Sequence, residues 1–484
     1  MRTVSRITCP LVPSSCLRRL AICLLLGGMS APLFPQMAPF LVIDSIQVNG
    51  QKKTRVETIL RELPFRIGDT IQQEQLATLL SDGERWLMQT GLFNSVQIAP
   101  QYPGDDGNRV RVSIRVSEAW YLFPVPIFEL ADRNFNVWWV DQRRSLDRIN
   151  YGMDFRHRNL TGRRDRARVN FKTGYTQLFQ FQYMLPFFNR AKTWGFSAGA
   201  FSARNQEVNY ATIENRQVFF RTEEGYALRR FSTQVALLHR PGLNQYHRFQ
   251  LGYVHNQVDE KVSRELNPEY FLDGRQSQRF FSLAYEYVFD DRDVRPYPLS
   301  GSFFSLELRK DGLGIFRDRN ALTLFGDYRI YKDIADGPLN LAFLAKGKYS
   351  LIRRAQPYND NRAIGFQERT LRGYEYYIID GLDMILANSS LRMKIWENQI
   401  NFGKWSPVEQ LRKMPIKAFA SLNSDWGYVN NPWNTFDNSF NNRLLWGGGV
   451  GLDLVFFFDF ALRIEGSVNH LGQAGLYLNF KTGL

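Results

Sequence analysis

Cysteine is nearly absent from this chain of 484 residues, and its three copies, Cys9, Cys16 and Cys23, all lie near the start. Four arginines come before a short apolar run at 20–29, and small residues and prolines follow it up to Ala38, which is the order of a secretory signal peptide. We therefore expect residues 1–38 to be a signal peptide. The mature chain would then have no thiol, which excludes disulfides, thiolate metal sites and cysteine catalysis.

Long hydrophobic runs are also missing. After position 40 no run reaches about eighteen apolar residues, the length that a membrane-spanning helix needs, so helical spans are excluded. Aromatic residues make up 14% of the chain, which suits a membrane barrel with aromatic girdles at its rims. A large soluble all-β protein would have a similar composition, so composition alone leaves both readings open.

Charge of one sign never gathers into a block. The formal net charge is +14, and setting aside the four arginines of the first 38 residues leaves +10. Lysine and arginine are spread among acids along strand-like segments, whereas nucleic-acid binding favours clustered basic residues. We expect these charges to face an aqueous barrel lumen and lipid head groups, with no nucleic acid as partner.

Residues 40–119 read as a small α+β domain of order β-α-α-β-β. Strands are predicted at 44–50, 94–98 and 109–116, and helices at 53–63 and 74–90, where apolar residues recur at helical spacing. In the last strand the apolar residues alternate with polar ones and are predicted to be buried on one side; they are Val110, Val112, Ile114 and Val116.

Residues 121–484 show period-two alternation and no convincing helix. From Val169 to Leu185, aromatic and apolar residues occupy the odd positions while asparagine, lysine and glutamine stand between them. Several such runs reach about ten residues, the length that crosses a bilayer with tilt, whereas strands of soluble proteins average about five to six. The expected fold is an all-β transmembrane barrel of about sixteen antiparallel strands.

Two short motifs within residues 40–119, called the front domain below, support a family resemblance. Val48-Asn-Gly50 follows the first predicted strand, and Thr90-Gly-Leu-Phe-Asn-Ser-Val96 follows the second helix. With the β-α-α-β-β order, these motifs resemble a POTRA domain over the whole of residues 40–119. A generic small α+β domain is the alternative.

The barrel region contains Leu371-Arg372-Gly373-Tyr374, which resembles the loop signature of the BamA/TamA superfamily. This family consists of outer-membrane barrels with amino-terminal POTRA domains that insert or translocate proteins. Phe419-Ala-Ser-Leu-Asn-Ser-Asp425-Trp-Gly427 and 291–301 resemble further elements of the family in the expected order. The resemblance implies that Arg372 on an inward-folded loop pairs with Asp425 on the barrel wall. Gly373 would let the backbone approach the wall, where Tyr374 would pack.

One departure concerns the second acidic partner of Arg372. Many members of the family have a glutamate where this chain has Ser390. The resemblance therefore leaves that partner open, with Asp380 and Asp383 as candidates.

The resemblance further implies that clients are unfolded outer-membrane or secreted proteins, with possible periplasmic or lipoprotein accessory subunits. A client would add to the edge strand of the POTRA domain through Val110, Val112, Ile114 and Val116. It would then enter a seam between the first and last barrel strands, expected at 151–158 and 476–484; the seam residues would be Tyr151, Phe155, Leu476, Leu478 and Phe480.

The function so predicted is assembly of β-barrel proteins into the bacterial outer membrane, with the POTRA domain in the periplasm. A secretion pore for a specific protein and a passive porin are the alternatives. The glycine-rich stretch Gly447-Gly-Gly-Val-Gly451 lacks the lysine and helix of a phosphate loop. We expect no catalytic residues, no metal site, no cofactor and no enzymatic activity.

Overall fold

The computed structural model describes residues 40–102, 108–132, 135–189, 191–242, 244–293, 297–334, 338–366, 368–401, 413–433, 438–456 and 460–482. The predicted signal peptide lies outside these described residues. The chain forms a small mixed domain followed by one large sheet. Among the described residues, no helix has both the length and the apolar character needed to cross a membrane.

The amino-terminal domain packs two helices against a four-stranded sheet. The elements in chain order are β1 (Phe40–Asn49), α1 (Val56–Glu62), β2 (Thr70–Gln72), α2 (Gln73–Gln89), β3 (Phe93–Gln101) and β4 (Arg109–Glu118). The order in the sheet is β2-β1-β4-β3, in which β1 runs parallel to β4 and the other neighbours are antiparallel. The three-residue strand β2 was not predicted.

Strand β4 lies inside this sheet, so the prediction that it forms a client-binding edge is wrong. It pairs with β1 on one side and with β3 on the other. Its four alternating apolar residues, Val110, Val112, Ile114 and Val116, belong to the buried core of the domain. Alternation reveals which face of a strand is buried, but it does not reveal which strands lie beside it.

Sixteen antiparallel strands form the barrel sheet, which confirms the predicted number. Four further short strands lie in loops and form two separate two-stranded sheets, one at 207–221 and one at 362–380. The strands are β5 (Leu122–Leu130), β6 (Ile149–His157), β7 (Arg166–Gly174), β8 (Thr176–Leu185), β9 (Trp194–Asn205), β10 (Glu207–Ile213), β11 (Arg216–Arg221), β12 (Leu228–His239), β13 (Gln245–Val258), β14 (Ser277–Asp290), β15 (Gly301–Asp311), β16 (Ala321–Ile334), β17 (Leu339–Ser350), β18 (Arg362–Ile364), β19 (Ile379–Asp380), β20 (Asp383–Asn401), β21 (Lys413–Asn430), β22 (Leu444–Phe456), β23 (Phe460–Asn469) and β24 (Ala474–Thr482).

Alternation along the strands separates an apolar outer face from a polar lumen. On β8, Phe179 and Phe181 are exposed on the outside, where lipid would cover them. Buried polar side chains face the interior, and they include Asp154, Asn170, Asp425, Asp453 and Glu465. Short helical turns occur in the connections, at Val137–Asp141, Leu146–Arg148, Val262–Leu266, Pro268–Tyr270 and Tyr358–Asp360.

Candidate functional site: an anchored loop and an open seam

The connection between β17 and β20, residues 351–382, folds back into the barrel. Strands β18 and β19 pair within it and join its two ends. Its apolar residues form one buried cluster with side chains of β20, β21 and β22. The members contributed by the connection are Ala363, Ile364, Leu371, Tyr374 and Ile379. We call residues 351–382 the inner loop.

Arg372 on the inner loop contacts two buried carboxylates. Its Nη1 lies 2.6 Å from Oδ1 of Asp425 on β21, and its Nε lies 2.6 Å from Oε1 of Glu465 on β23. The backbone N–H of Arg372 also donates to Oδ2 of Asp425 at 3.2 Å. Asp425 and Glu465 are 0% and 2% exposed. A guanidinium suits this position because it always carries its charge and presents several donors in one plane.

Glu465 was not among the predicted partners, and the two carboxylates suggested in its place lie elsewhere. Asp380 accepts a hydrogen bond from Thr212 at 2.5 Å, and Asp383 pairs with Arg353 at 2.6 Å. Glu465 does stand on the polar face of the alternating pattern of β23. The sequence pattern alone could not show that this face meets the inner loop.

Two glycines allow the inner loop to approach the wall. Gly373 has a φ of +78°, and a Cβ there would lie 2.8 Å from the backbone nitrogen of Asn469. On β22, a Cβ at Gly447 would collide with the carbonyl oxygen of Arg372. The Tyr374 hydroxyl donates to the carbonyl of Trp446 at 3.1 Å. The loop backbone is therefore seated directly on β22 and on the end of β23.

Gly427 on β21 lies under the apolar part of the same loop. A Cβ at this position would come within 2.9 Å of Ile364 and within 3.4 Å of Leu371. The predicted residues 371–374, Asp425 and Gly427 thus occupy one region of the structure.

The inner loop also reaches the last strand of the barrel. The ring of Tyr376 lies 5.9 Å, centroid to centroid, from that of Tyr477 on β24. The hydroxyl of Tyr377 donates to Gln473, immediately before β24, at 2.8 Å. The loop therefore contacts every strand from β20 to β24.

A second loop braces the far side of the inner loop. The β10–β11 hairpin accepts the backbone N–H of Ile378 at the carbonyl of Asn215, at 2.8 Å. Asn209 of the same hairpin donates to the hydroxyl of Tyr358 at 2.9 Å. The inner loop is held between this hairpin and the barrel wall.

Strands β5 and β24 are the two ends of the 16-stranded sheet, and no ladder joins them within the described residues. Near this seam the side-chain amide of Asn136 donates to the carbonyl of Leu476 on β24 at 2.7 Å. Leu476 is 69% exposed, on the lipid side. The carboxyl-terminal half of the predicted seam therefore lies at a sheet end. The side chain of Phe480 lies outside the described residues.

The amino-terminal half of the predicted seam is wrong. Tyr151 and Phe155 lie on β6, which is the second strand and pairs on both sides. The first strand is β5, and its Pro124 and Pro126 conceal it in the sequence, because prolines there suggest a linker more than a strand.

The POTRA-like domain rests on two barrel turns beside β6 and β8. The N–H of Arg55 and the hydroxyl of Thr58 both donate to the carbonyl of Gly162, at 3.0 and 2.9 Å. Glu62 at the end of α1 pairs with Lys192 at 3.1 Å. The first strands of the barrel are thereby tied to the front domain.

Glu118, at the end of β4, supports this junction from within the front domain. Its carboxylate accepts the backbone N–H groups of Thr54 and Lys53 at 2.6 and 3.0 Å. Burial raises the pKa of Glu118, but these hydrogen bonds outweigh burial and leave the pKa below its ordinary value. The carboxylate therefore fixes the segment from which α1 begins.

Two regions of the chain match known families. Residues 41–119 match the POTRA family, described as a surface antigen variable number repeat, and residues 159–456 match the Omp85 superfamily domain. The second match covers more than half of the chain, so the chain belongs to the Omp85 superfamily. No curated protein matches the sequence.

Solved structures support the fold. BamA from Haemophilus ducreyi, lacking POTRA domains 1–3, matches with a TM-score of 0.64 at 14% identity, over 91% of this chain and 83% of that one. CdiB from Escherichia coli matches with a TM-score of 0.54 at 12% identity, over 91% and 76%. The superfamily implies an outer-membrane barrel that inserts or translocates proteins, with the POTRA domain in the periplasm.

Proposed function

We propose that this protein inserts β-barrel proteins into the bacterial outer membrane through the seam between β5 and β24. The observation that carries the proposal is the sheet itself, whose two end strands share no ladder in the described part of the chain. Hydrocarbon offers no hydrogen-bond partner to a strand edge. A client strand can therefore pair with an edge at the seam without first breaking a ladder there.

The inner loop serves this function as a positioning element. Through Arg372 it binds β21 and β23, and through Tyr376 it contacts β24. It thereby holds the strands next to the seam in one arrangement, while β24 shares no ladder with β5 in the described part of the chain. Strand pairing makes and breaks hydrogen bonds but no covalent bond, so the proposal includes neither a nucleotide nor a metal.

A secretion pore for one exported protein is the second candidate. A cavity of about 530 Å³ lies where the front domain meets the barrel, and its lining is rich in arginine, although Asp154, Glu62 and Glu286 pair with four of these arginines. Among the described residues that line it there is no acid, and six arginines, which are Arg156, Arg158, Arg164, Arg166, Arg168 and Arg248.

A passive porin is the weakest candidate, because a wide aqueous channel does not require a charge-anchored loop in its lumen. Replacement of Arg372 by alanine would leave a porin with large and steady conductance. In an insertase the same replacement disturbs the loop that holds β21 to β24.

The direct test uses the full chain in liposomes and an eight-stranded outer-membrane barrel unfolded in urea. Folding of that barrel is followed by its gel mobility without boiling. We expect faster folding than in empty liposomes, and loss of the acceleration on Arg372→Ala with the chain still folded. Equal rates with and without the protein would refute the insertase.

Depletion in cells separates the two leading candidates. Loss of many outer-membrane barrels supports insertion, whereas loss of a single exported protein supports the secretion pore. The proposed insertion function includes accessory subunits in the periplasm or on lipoproteins. A pull-down with the full chain tests whether such subunits bind.

A further inference from the structure

Four arginines lie together on the lumen side of β6 and β7, at the end of the barrel that meets the front domain. Arg156 lies opposite Arg168 in the β6–β7 ladder. That ladder ends one position further on, and the next residues in the same register are Arg158 and Arg166. Even-numbered positions of these two strands face the lumen, as the buried Asn170 does. We call these four arginines the arginine block.

The first pair of the arginine block is bridged by a carboxylate. Like charges directly opposite each other on neighbouring strands destabilise a sheet. Oδ2 of Asp154 lies 2.7 Å from Nη2 of Arg156, and Oδ1 of Asp154 lies 2.8 Å from Nε of Arg168. Asp154 is 2% exposed. One buried carboxylate thus contacts both guanidiniums and offsets the repulsion between them.

The second pair has no such carboxylate. Within the described part of the chain, the side chains of Arg158 and Arg166 make no ion pair and no hydrogen bond. The guanidinium of Arg158 lies 4.7 Å from the centre of the Phe123 ring on β5. An aromatic ring attracts a cation but carries no net charge, so the repulsion between the two guanidiniums remains. Both side chains are exposed, and an anion can therefore reach them.

Two other lumen arginines show the arrangement that this pair lacks. Arg329 lies 2.6 Å from Asp327 on the same strand, and Arg463 on β23 lies 2.6 Å from Asp453 on β22. In each case the chain itself supplies the anion next to the guanidinium. At the second pair of the arginine block, an anion from outside the chain can occupy the equivalent place.

The arginine block lines the cavity of about 530 Å³ between the front domain and the barrel. This volume falls in the range of about 300–1,000 Å³ that is typical of small-molecule sites. Together with Asp154, the block has a formal charge of 4 − 1 = +3. Further polar side chains line the cavity, and they are Gln182, Ser197 and Gln234. The cavity thus combines an excess of positive charge with additional hydrogen-bonding groups.

The excess of positive charge extends into the β6–β7 turn. Burial lowers the pKa of Arg164 in this turn, and the guanidiniums of Arg166, Arg61 and Arg240 lower it further. Glu62 acts in the opposite direction but does not outweigh them. An anion bound beside these cations would reduce their mutual repulsion.

We propose that the cavity binds a phosphate group between the guanidiniums of Arg158 and Arg166. The phosphate does for this pair what Asp154 does for the first pair of the arginine block. A phosphate monoester carries about −1.5 to −2 charges at pH 7, so it matches two guanidiniums better than one carboxylate does. Guanidiniums also bind phosphate oxygens through two parallel N–H bonds. The proposal goes beyond the insertion function and does not depend on it.

The position of the site favours a soluble ligand over a lipid head group. The arginine block faces the lumen, whereas Phe155 and Phe171 at alternate positions are exposed on the lipid side. A ligand therefore reaches the block through water, from the end of the barrel where the front domain lies. The diester phosphate of a phospholipid also carries only about one charge. The class of ligand is a water-soluble phosphate monoester.

Calorimetric titration of the full chain with inorganic phosphate tests the site. Sodium chloride keeps the ionic strength constant, because salt alone screens exposed charges. We expect saturable binding, with Kd raised about tenfold or more in Arg158→Gln and in Arg166→Gln, since each loses a charge-assisted partner. Arg229→Gln removes an exposed arginine at the opposite end of the barrel and should leave Kd unchanged. Absence of saturable binding, or equal Kd in all four proteins, would overturn the proposal.

A carboxylate built into the chain gives the second measurement. Arg166→Glu places an acid opposite Arg158, as Asp154 stands beside the first pair. We expect this variant to resist urea better than the unmodified chain in phosphate-free buffer, and to gain nothing from added phosphate. The unmodified chain should gain resistance as phosphate is added. Arg229→Glu is the control for charge reversal. Lower resistance of Arg166→Glu than of the unmodified chain would show that the two arginines do not repel each other, which contradicts the proposal.

The source of the phosphate group is tested with two further probes. Glycerol 3-phosphate, a soluble monoester, should bind with a Kd within about threefold of that for inorganic phosphate, because the same group contacts both arginines. Phosphatidylglycerol is titrated in detergent and followed by native mass spectrometry. Lipid adducts that are lost in Arg158→Gln and Arg166→Gln, without binding of glycerol 3-phosphate, would assign the site to a lipid head group and refute the soluble ligand.

Discussion

The two ends of the barrel sheet are held in different ways. The inner loop contacts strands β21 to β24 from the lumen side, through buried charges and aromatic contacts. Strands β5 to β8 are held at their turns by the POTRA domain, through neutral hydrogen bonds to the buried Gly162 and a partly buried ion pair with Lys192. The seam lies where these two kinds of support meet.

The two kinds of support differ in the free energy that it costs to break one contact. A carboxylate shut away from water requires a charged partner, so the inner-loop contacts are costly to break singly. Neutral hydrogen bonds and a single ion pair at a domain junction contribute less each, and such a junction can open locally. We therefore expect the carboxyl-terminal strands to form the rigid side of the seam and the amino-terminal strands the yielding side.

The largest effect is expected from Arg372→Ala. It leaves Asp425 buried without its cation and Glu465 with only the more distant Arg463, at 3.9 Å, which should cost about 3–5 kcal/mol of unfolding free energy. Urea unfolding followed by gel mobility measures this loss. Arg353→Ala removes an arginine whose side chain is 42% exposed and should cost at most about 1 kcal/mol. Equal losses of unfolding free energy in the two variants would show that the buried contacts of Arg372 stabilise the protein no more than an exposed ion pair does.

Exchanging the charges of Arg372 and Asp425 tests whether Glu465 is a second partner of Arg372. Arg372→Asp combined with Asp425→Arg should restore part of the stability lost in either single variant, because the pair is reversed. The new aspartate would face Glu465, however, so the rescue is limited. Adding Glu465→Gln should improve it by about 1 kcal/mol or more. If the third change brings no gain in urea unfolding, Glu465 is not a partner of the anchor.

Close packing of the inner loop is tested by Gly447→Ala. The added methyl group meets the carbonyl of Arg372, and we expect a loss of about 1–3 kcal/mol. Gly326→Ala on β16 is the matched control, because a Cβ there meets nothing within 4 Å. Protease cleavage within the inner loop should increase in the first variant and stay unchanged in the second.

At the amino-terminal end of the barrel sheet, Glu62→Ala should weaken the contact between the POTRA domain and the barrel while the barrel stays folded. Loss of the ion pairs with Lys192 and Arg164 should cost about 0.5–1 kcal/mol. Hydrogen exchange of α1 is the readout, and the exposed Glu57 in the same helix provides the control substitution. A fall in global barrel stability would show that the two supports are not separate.

The smallest effect is a pH dependence at Glu118. Because the folded-state pKa is lowered, the ionised carboxylate adds stability above its ordinary pKa, and this contribution disappears as the pH falls through the lowered value. Protection of the Lys53 and Thr54 amides from exchange should therefore persist at neutral pH and fall in acid. Glu118→Gln should abolish this change. An unchanged profile in the variant would exclude Glu118 as its source.

Much of the loop site could be found from sequence because its residues lie in recognisable motifs. Arg372 and Asp425 were named together from a family resemblance, and the structure places them 2.6 Å apart. Glu465 carried a weaker signal, its place on the polar face of a strand. A polar face identifies the lumen, but which lumen residues meet a returning loop depends on contacts between distant segments.

The sequence by itself determined the class of fold: a thiol-free chain beyond position 38, alternating strands long enough for a bilayer, and a small mixed domain in front. The tertiary structure alone decided which strands are edges. It moved β4 into the interior of its sheet and made the proline-bearing β5 the first barrel strand. The physical reason is that a period of two assigns each side chain to a face, whereas an edge is defined by neighbours, and these are chosen by pairing across the whole chain.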